Sequence, residues 1–286
     1  MASLKEIKTR ILSVENTRKI TVARQMISSA RLRQSQVILE KAKTYNNELE
    51  QIMSALLHPK NPVCNELTTS HGKGAVAIVI MSSNSGMCGA FNSRMIKEIS
   101  ALPTLYPDEP LLFFPVGKKV REALIRSGYT VHGNFDELAG KMSYQHVADL
   151  TNELITLFHA HQIKQADMIY YHYKSVATQI ITYEQLLPYV LPAFTKPEAA
   201  NDSDLYIFEP SQPAIFNTIL PQVLRSKFYL ALADNHTAEH GARVIAMQLA
   251  SENAGKILDE LRLSYNKIRQ QNITAEMLDI VGGLFA

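Results

Sequence analysis

The chain has 286 residues, enough for one to two domains, and its formal net charge of +2 argues against a dedicated nucleic-acid binder. Its two cysteines, Cys64 and Cys88, give no disulfide framework, so a reducing compartment fits. No apolar run approaches the roughly 18 residues that cross a bilayer, and the start, charged from Lys5 and Glu6 onward, does not read as a signal peptide.

Residues 3–57 contain neither proline nor glycine and predict one long helix. Leu4, Ile7, Ile11 and Val14 open a 3–4 apolar spacing. Ile20, Ala23, Ile27 and Ala30 continue it one face over, and Tyr45, Leu49, Ile52 and Leu56 close it. Residues 1–60 hold 11 Lys+Arg against 5 Asp+Glu. A basic amphipathic helix can bind phosphates, nucleic acid or an acidic protein surface, and an ordinary solvated face is the plainer reading.

His58-Pro59, Asn61-Pro62 and His71-Gly72 end this helix. Ala75–Met81 is a continuous apolar run that predicts a strand buried on both faces. A small-residue loop at 82–89 follows, then a helix over 91–102 with Asn92 or Ser93 near its start. The pattern continues with a strand at Leu111–Val116, a helix at 118–127 ending at Gly128, and a third strand at 129–135. A longer amphipathic helix at 144–163 buries Leu150, Leu154, Leu157 and Phe158, a fourth strand follows at 168–173, and 179–183 adds a further candidate. Alternating strands and helices imply βαβ units and a mostly parallel sheet. Residues 188–213 read as loop with a short strand near Leu205 to Phe208.

From about residue 222 to the end the sequence is again free of proline. Ala231, Ala238, Ala242, Ile245, Leu249, Leu258, Leu261, Tyr265 and Ile268 mark one helical stripe. A helix of roughly 60 residues is about 90 Å long at 1.5 Å per residue and needs a partner along its length. The first helix supplies one. Small residues line both candidate seams: Ala23, Ser28 and Ala30 on one, Ala242, Ala246, Ala250 and Ala254 on the other. The expected fold is therefore an antiparallel coiled coil of the N- and C-terminal helices with an inserted Rossmann-like α/β domain, divided as 1–58, 74–195 and 210–286. Whether Pro221 starts or kinks the last helix is open at this stage.

Chemistry-bearing motifs are few. The loop Ser82-Ser-Asn-Ser-Gly-Met-Cys-Gly-Ala-Phe-Asn92 joins a strand to a helix, the place where α/β folds bind phosphate or set a nucleophile. An α/β enzyme with Cys88 as nucleophile is the alternative this permits. No G-x-G-x-x-G or G-x-x-x-x-G-K-[ST] occurs, and a tight turn is the plainer reading. His159 and His161, two apart on a helix, face different sides; His236 and His240 are four apart but lack a third ligand, and all read as ordinary surface histidines. No catalytic, cofactor or metal residue is assigned.

Four stretches resemble one family. Tyr265-Asn-Lys-Ile-Arg-Gln-Gln-Asn-Ile-Thr-Ala-Glu-Met-Leu-Asp-Ile-Val-Gly-Gly283 resembles the C-terminal signature of the gamma subunit of F-type ATP synthases. Lys5-Glu-Ile-Lys8 with Ser13-Val-Glu-Asn-Thr-Arg-Lys-Ile-Thr21 looks like that family's first helix, and the stretch from Ser83 to Asn92 resembles its S-D-x-G-L-C-G-x-x-N loop. Ala238-Glu-His-Gly-Ala-Arg-Val-Ile-Ala-Met247 resembles its S-E-H-A-A-R-x-x-A-M block. Arg24 stands where the family often has methionine, Asn84 where it has aspartate, and Gly241 where it has alanine.

The resemblance implies a central rotor shaft of a bacterial-type enzyme, without catalytic residues or cofactors. Its partners would be the alpha and beta subunits of the catalytic hexamer, the epsilon subunit and the membrane ring of c subunits, with no nucleic acid. Membrane association would be indirect, through the ring, at the cytoplasmic face of the inner membrane. Proton flow would turn ring and shaft and so drive ATP synthesis or hydrolysis in the beta subunits. By the same resemblance Arg24, Arg269, Gln270, Thr274, Glu276, Ile280, Leu284 and Phe285 would meet the hexamer, the apolar tip turning in a hydrophobic bearing above a polar collar.

Overall fold

A computed structural model describes residues 4–56, 65–107, 109–190 and 208–284. With no helix breaker in its sequence, α1 (Leu4–Leu56) runs as one helix. The hydroxyls of Thr9, Thr17 and Ser35 donate to carbonyls one turn back, so these polar residues do not interrupt it.

Four strands follow the apolar runs. β1 (Ala75–Met81) and β2 (Leu111–Val116) pair in parallel, β1 pairs in parallel with β3 (Ile163–Tyr173), and β4 (Gln179–Leu187) returns antiparallel to β3. The order is β2-β1-β3-β4. β1 is central, and every residue after its first is buried, as a strand covered on both faces requires.

The alternation of β1 side chains assigns the two faces. Val76, Ile78 and Ile80 pack under α2 (Phe91–Leu105) and α3 (Lys118–Arg126), against Phe91, Met95, Ile99, Val120 and Leu124. Ala77, Val79 and Met81 face the opposite layer. That layer holds α4 (Tyr144–His159), the end of α1 and the long α5 (Gln212–Leu284). Phe158, Leu49, Met53, Phe216, Val223 and Phe228 meet there. Each such burial stabilises by about 1.5–3 kcal/mol.

Two expectations need correction, and the open question of Pro221 closes. Residues 129–135 make no strand: one parallel bridge joins Val131 to Phe113, His132 N–H donates to the Phe113 carbonyl, and the chain then turns at Gly133, whose φ is +69°. The last helix, expected within 210–286, starts at Gln212, ahead of the proline-free stretch. Pro213 falls in its first turn, where proline is tolerated, and Pro221 lies inside the helix instead of starting it. α4 ends at His159, and residues 163–167 belong to β3 although Lys164, Gln165 and Asp167 interrupt the apolar run. The expected strand at 205–208 falls almost wholly outside the described residues.

Asp167 is 5% exposed. The Tyr106 hydroxyl and the Gln165 amide both donate to its Oδ2. Burial pushes its carboxyl above the usual range, and the two hydrogen bonds oppose this without cancelling it. A carboxyl raised on folding holds its proton more tightly in the folded chain. Its contribution is therefore fully present below the unfolded value, about 3.9, and is lost as pH rises through the folded value. Asp167→Asn should remove that slope and raise the melting temperature relative to the wild type at pH 8 but not at pH 3. Thermal unfolding across this range measures both, and equal melting temperatures at pH 8 would contradict it.

Candidate functional site

α1 and α5 pair antiparallel, and named contacts fix their register. Arg262 Nη2 donates to Glu15 Oε1 at 2.9 Å, and the Arg18 guanidinium lies 3.9 Å from where a Gly255 side chain would begin. At the other end Gln212 Nε2 donates to the Leu56 carbonyl. On α1 the buried residues Ser28, Leu32, Ser35, Leu39, Ala42, Asn46, Leu49 and Met53 alternate four and three apart. On α5, Met247, Ala254 and Leu258 are buried, and Ser251, Leu261, Tyr265 and Ile268 half-buried, at the same alternation. This is a coiled-coil seam.

The seam differs in one respect from the apolar stripe read in the sequence. Ile20, Ile27, Tyr45 and Ile52 are exposed at 56%, 57%, 51% and 45%, and Ala23 and Ala30 are exposed too. The inward positions are Thr21, Gln25 and Ser28, whose polarity disguised them. The apolar stripe one residue over is an outward face, and Leu249 on α5 is likewise exposed.

Continuing the register of Glu15 and Arg262 places Leu4, the first described residue of α1, opposite about Ile273, so α5 runs past the described part of α1. From Arg269 to Leu278 every side chain is exposed, as are those of Ile280 and Val281. Ile273, Met277, Leu278, Ile280 and Val281 are 43–66% exposed, an apolar surface on more than one side of a helix end with no packing partner among the described residues.

The expected contact residues fall into two bands. Arg24 lies exposed on α1. Arg269, Gln270, Thr274, Glu276 and Ile280 lie exposed on α5, about 24 Å further along the axis at 1.5 Å per residue. The Thr274 hydroxyl donates to the Gln270 carbonyl. Leu284 closes the helix, and Phe285 lies outside the described residues.

Where α5 crosses the sheet layer its chemistry changes. Asp234, Asn235, His236, Thr237, Glu239, His240 and Arg243 are all buried. β1 stops at Met81 while β3 continues, leaving β3 amides without a strand neighbour on that side. Asn235 Oδ1 accepts from Tyr171 N–H and Asp234 Oδ1 from Tyr173 N–H, so the helix carries on the ladder that β1 leaves. Asp234 Oδ2 lies 2.6 Å from His172 Nδ1. His236 Nε2 donates to the Leu138 carbonyl at 2.9 Å. Arg243 pairs with Glu239 at 2.6 Å and donates to Ser85 Oγ at 3.0 Å. Sequence reading missed this run; its signal is a block of polar residues inside an alanine-rich helix.

The other sequence-stressed groups resolve structurally. Cys88 is 2% exposed, and its Sγ accepts from Asn92 Nδ2 at 3.1 Å. The loop that carries it packs on α5, with Gly89 beside Ala246 and Ser85 on Arg243. Asn84 accepts from Lys118 N–H at the start of α3 and donates to the Asp136 carbonyl; a carboxylate could make only the first bond. His236 and His240 are buried, not surface histidines, and burial, then His236, Arg243 and Arg31, lowers His240 to about 3. His159 meets Glu66, while His161 lies past the end of α4 with a φ of 53°. No group of three or more metal-ligating side chains occurs among the described residues.

The family model for ATP synthase, of the ATP-synt family, matches residues 3–286. The ATP synthase gamma chain of Phocaeicola vulgatus is 40% identical over 289 aligned residues, covering 100% of both chains. That of Bacteroides fragilis is 41% identical over 293, again covering 100% of each. Among solved structures, a chain of the Euglena gracilis mitochondrial ATP synthase in its OSCP/F1/c-ring form superposes with a TM-score of 0.69 at 19% identity, over 99% of this chain and 94% of that one. A chain of the same organism's rotor superposes at 0.66 with 17% identity, over 94% and 98%. At such identities these two speak for the fold alone. The paired terminal helices, the four-stranded sheet between them and the end-to-end identity to curated gamma chains converge: this chain belongs to the ATP synthase gamma chain family.

Proposed function

We propose that this chain is the central-stalk rotor of a proton-coupled ATP synthase and that it works mechanically, supplying no chemical group. The observation that carries the reading is the shape of the shaft: a coiled coil whose longer helix ends in exposed turns with apolar residues on several sides. Such a tip needs an apolar sleeve, and the ring of alpha and beta subunits supplies one. Apolar contact is non-directional, so it can hold an axis without fixing an angle. The collar of Arg269, Gln270, Thr274 and Glu276 offers directional bonds, as does Arg24 lower on the shaft, and these suit contacts that change with angle.

The parts divide accordingly. Residues 1–58 and 210–286 form the shaft, and residues 74–195 the foot, which sits on the c ring beside the epsilon subunit. No helix among the described residues is long and apolar enough to cross a membrane; on this reading the chain attaches through the ring, at the cytoplasmic face of the inner membrane. Turning the shaft presents different contacts to each beta subunit in succession and so biases its catalytic states, which is coupling by differential affinity.

The basic test is assembly: the chain should co-purify with alpha and beta subunits, and a solitary monomer in their presence would reject the reading. Cys88→Ala should leave ATP hydrolysis by the assembled complex within about twofold of wild type, since buried Cys88 serves packing; abolished turnover would favour the nucleophile alternative.

Alanine at Arg269, Gln270 and Thr274 together should slow turnover in an intact complex, whereas aspartate at Leu278 and Ile280 should lower the temperature at which the complex dissociates. The reverse pattern would overturn the division between collar and tip. Arg24→Met removes an exposed cation whose contact is worth about 0–1 kcal/mol; the ATPase rate or the pumping ratio should shift without loss of assembly. Unchanged values for both would remove Arg24 from the contact set.

A further inference from the structure

Starting from the rotor reading, we infer that torque passes between foot and shaft through α5 alone, at a buried polar grip formed by Asp234, Asn235, His236 and Arg243, while α1 follows as a strut. The grip is directional. Apolar packing resists separation of two surfaces but resists sliding or twisting weakly, whereas hydrogen bonds fix an angle. α5 makes these bonds to three separate segments of the foot. Asp234 and Asn235 hold Tyr173 and Tyr171 of β3, His236 holds the Leu138 carbonyl, and Arg243 holds Ser85 in the loop after β1.

At about 100° per residue these four positions spread over roughly half the circumference of the helix, within about 14 Å of its length. No rotation of α5 about its own axis can keep all of them. Glu239, one turn before Arg243, pairs with the guanidinium and aims it at Ser85. Gly241 lies in the same stretch, where a side chain would begin 3.4 Å from the Tyr173 ring and 3.4 Å from the Val176 carbonyl, so helix and foot are in close contact between the bonds.

α1 is tied differently. Its side-chain bond to the sheet is Gln36 to the Tyr173 hydroxyl, at the end of a flexible side chain. Among the described residues it is held besides by the seam with α5 and the apolar contact of Leu49, Met53 and Leu56. The two helices of the shaft are thus unequal, and the angle of the foot is written onto α5.

These are positioning residues, and the assembled, membrane-embedded complex tests them. The double variant Glu239→Gln/Arg243→Met removes the buried pair together, leaving neither charge alone in the interior. Its complex should assemble and hydrolyse ATP at the wild-type rate, yet pump fewer protons per ATP against an imposed proton gradient, where torque is greatest. Gln36→Leu should pump as wild type. Full pumping by the double variant, or an equal loss in Gln36→Leu, overturns the inference. Should the double variant not assemble, Ser85→Ala removes only the hydroxyl under Arg243. Angular fluctuation of a probe on the foot, with the shaft held in the hexamer, must then widen for Ser85→Ala and not for Gln36→Leu; no widening overturns the inference. A wild-type chain that supports no pumping would instead reject the rotor reading itself.

Discussion

The seam between α1 and α5 is the constraint on which the other features rest. Neither helix carries a broad enough apolar face to stand alone, and each is too long for the sheet layer to cover. Small and polar residues at the inward positions, Thr21, Gln25, Ser28 and Ser35 against Ser251 and Ala254, let the backbones approach closely. The register that results, held by Glu15 and Arg262, determines which turns of α5 lie past Leu4. The exposed tip is a consequence of this pairing, not a separate feature.

The same helix connects three different kinds of surface. From Ala231 to Gly241 α5 is buried on all sides, and along this part of the foot Asp234, Asn235, His236 and Arg243 bond to β3, to the Leu138 carbonyl and to the loop after β1. Along the shaft it makes a narrow seam, and at the tip it exposes apolar surface. An uninterrupted helix is stiff along its length, so an angle imposed at Asp234 to Arg243 is carried to Arg269 and Thr274. The outward apolar residues Ile20 and Ile27 lie along this path and add a surface that a surrounding partner can cover.

Much of the fold was legible because its signals are strong. β1 and β2 stand where continuous apolar runs place them, since a strand covered on both faces admits little else. α1 and α5 were legible from the absence of breakers. Interrupted signals were misread: β3 begins five residues before its apolar run because Lys164, Gln165 and Asp167 find partners in Glu109, Tyr106 and each other. Residues 129–135 have strand composition but only one bridge, because Gly133 turns the chain away. The inward face of α1 is disguised near Thr21, Gln25 and Ser28, where the seam is polar and Ile20 and Ile27 face out, while Leu49 and Leu56 point inward as their spacing suggests. The tip of the candidate site was legible from the crowding of apolar residues around one helix end. The grip was not, since Asp234, Asn235 and Arg243 look like surface residues until the truncated end of β1 is seen beside them.

In the rotor reading α1 and α5 form one rigid body whose helices do not move relative to each other while the shaft turns. The most direct test joins them. Cysteines at positions 18 and 255, bridged by a short bifunctional thiol reagent in the assembled complex, would lock the pair where Arg18 already lies 3.9 Å from the Gly255 side-chain position. The account predicts efficient cross-linking with ATP hydrolysis and proton pumping retained. Failure to cross-link would contradict the register, and loss of turnover on cross-linking would show that the helices must slide for the motor to run.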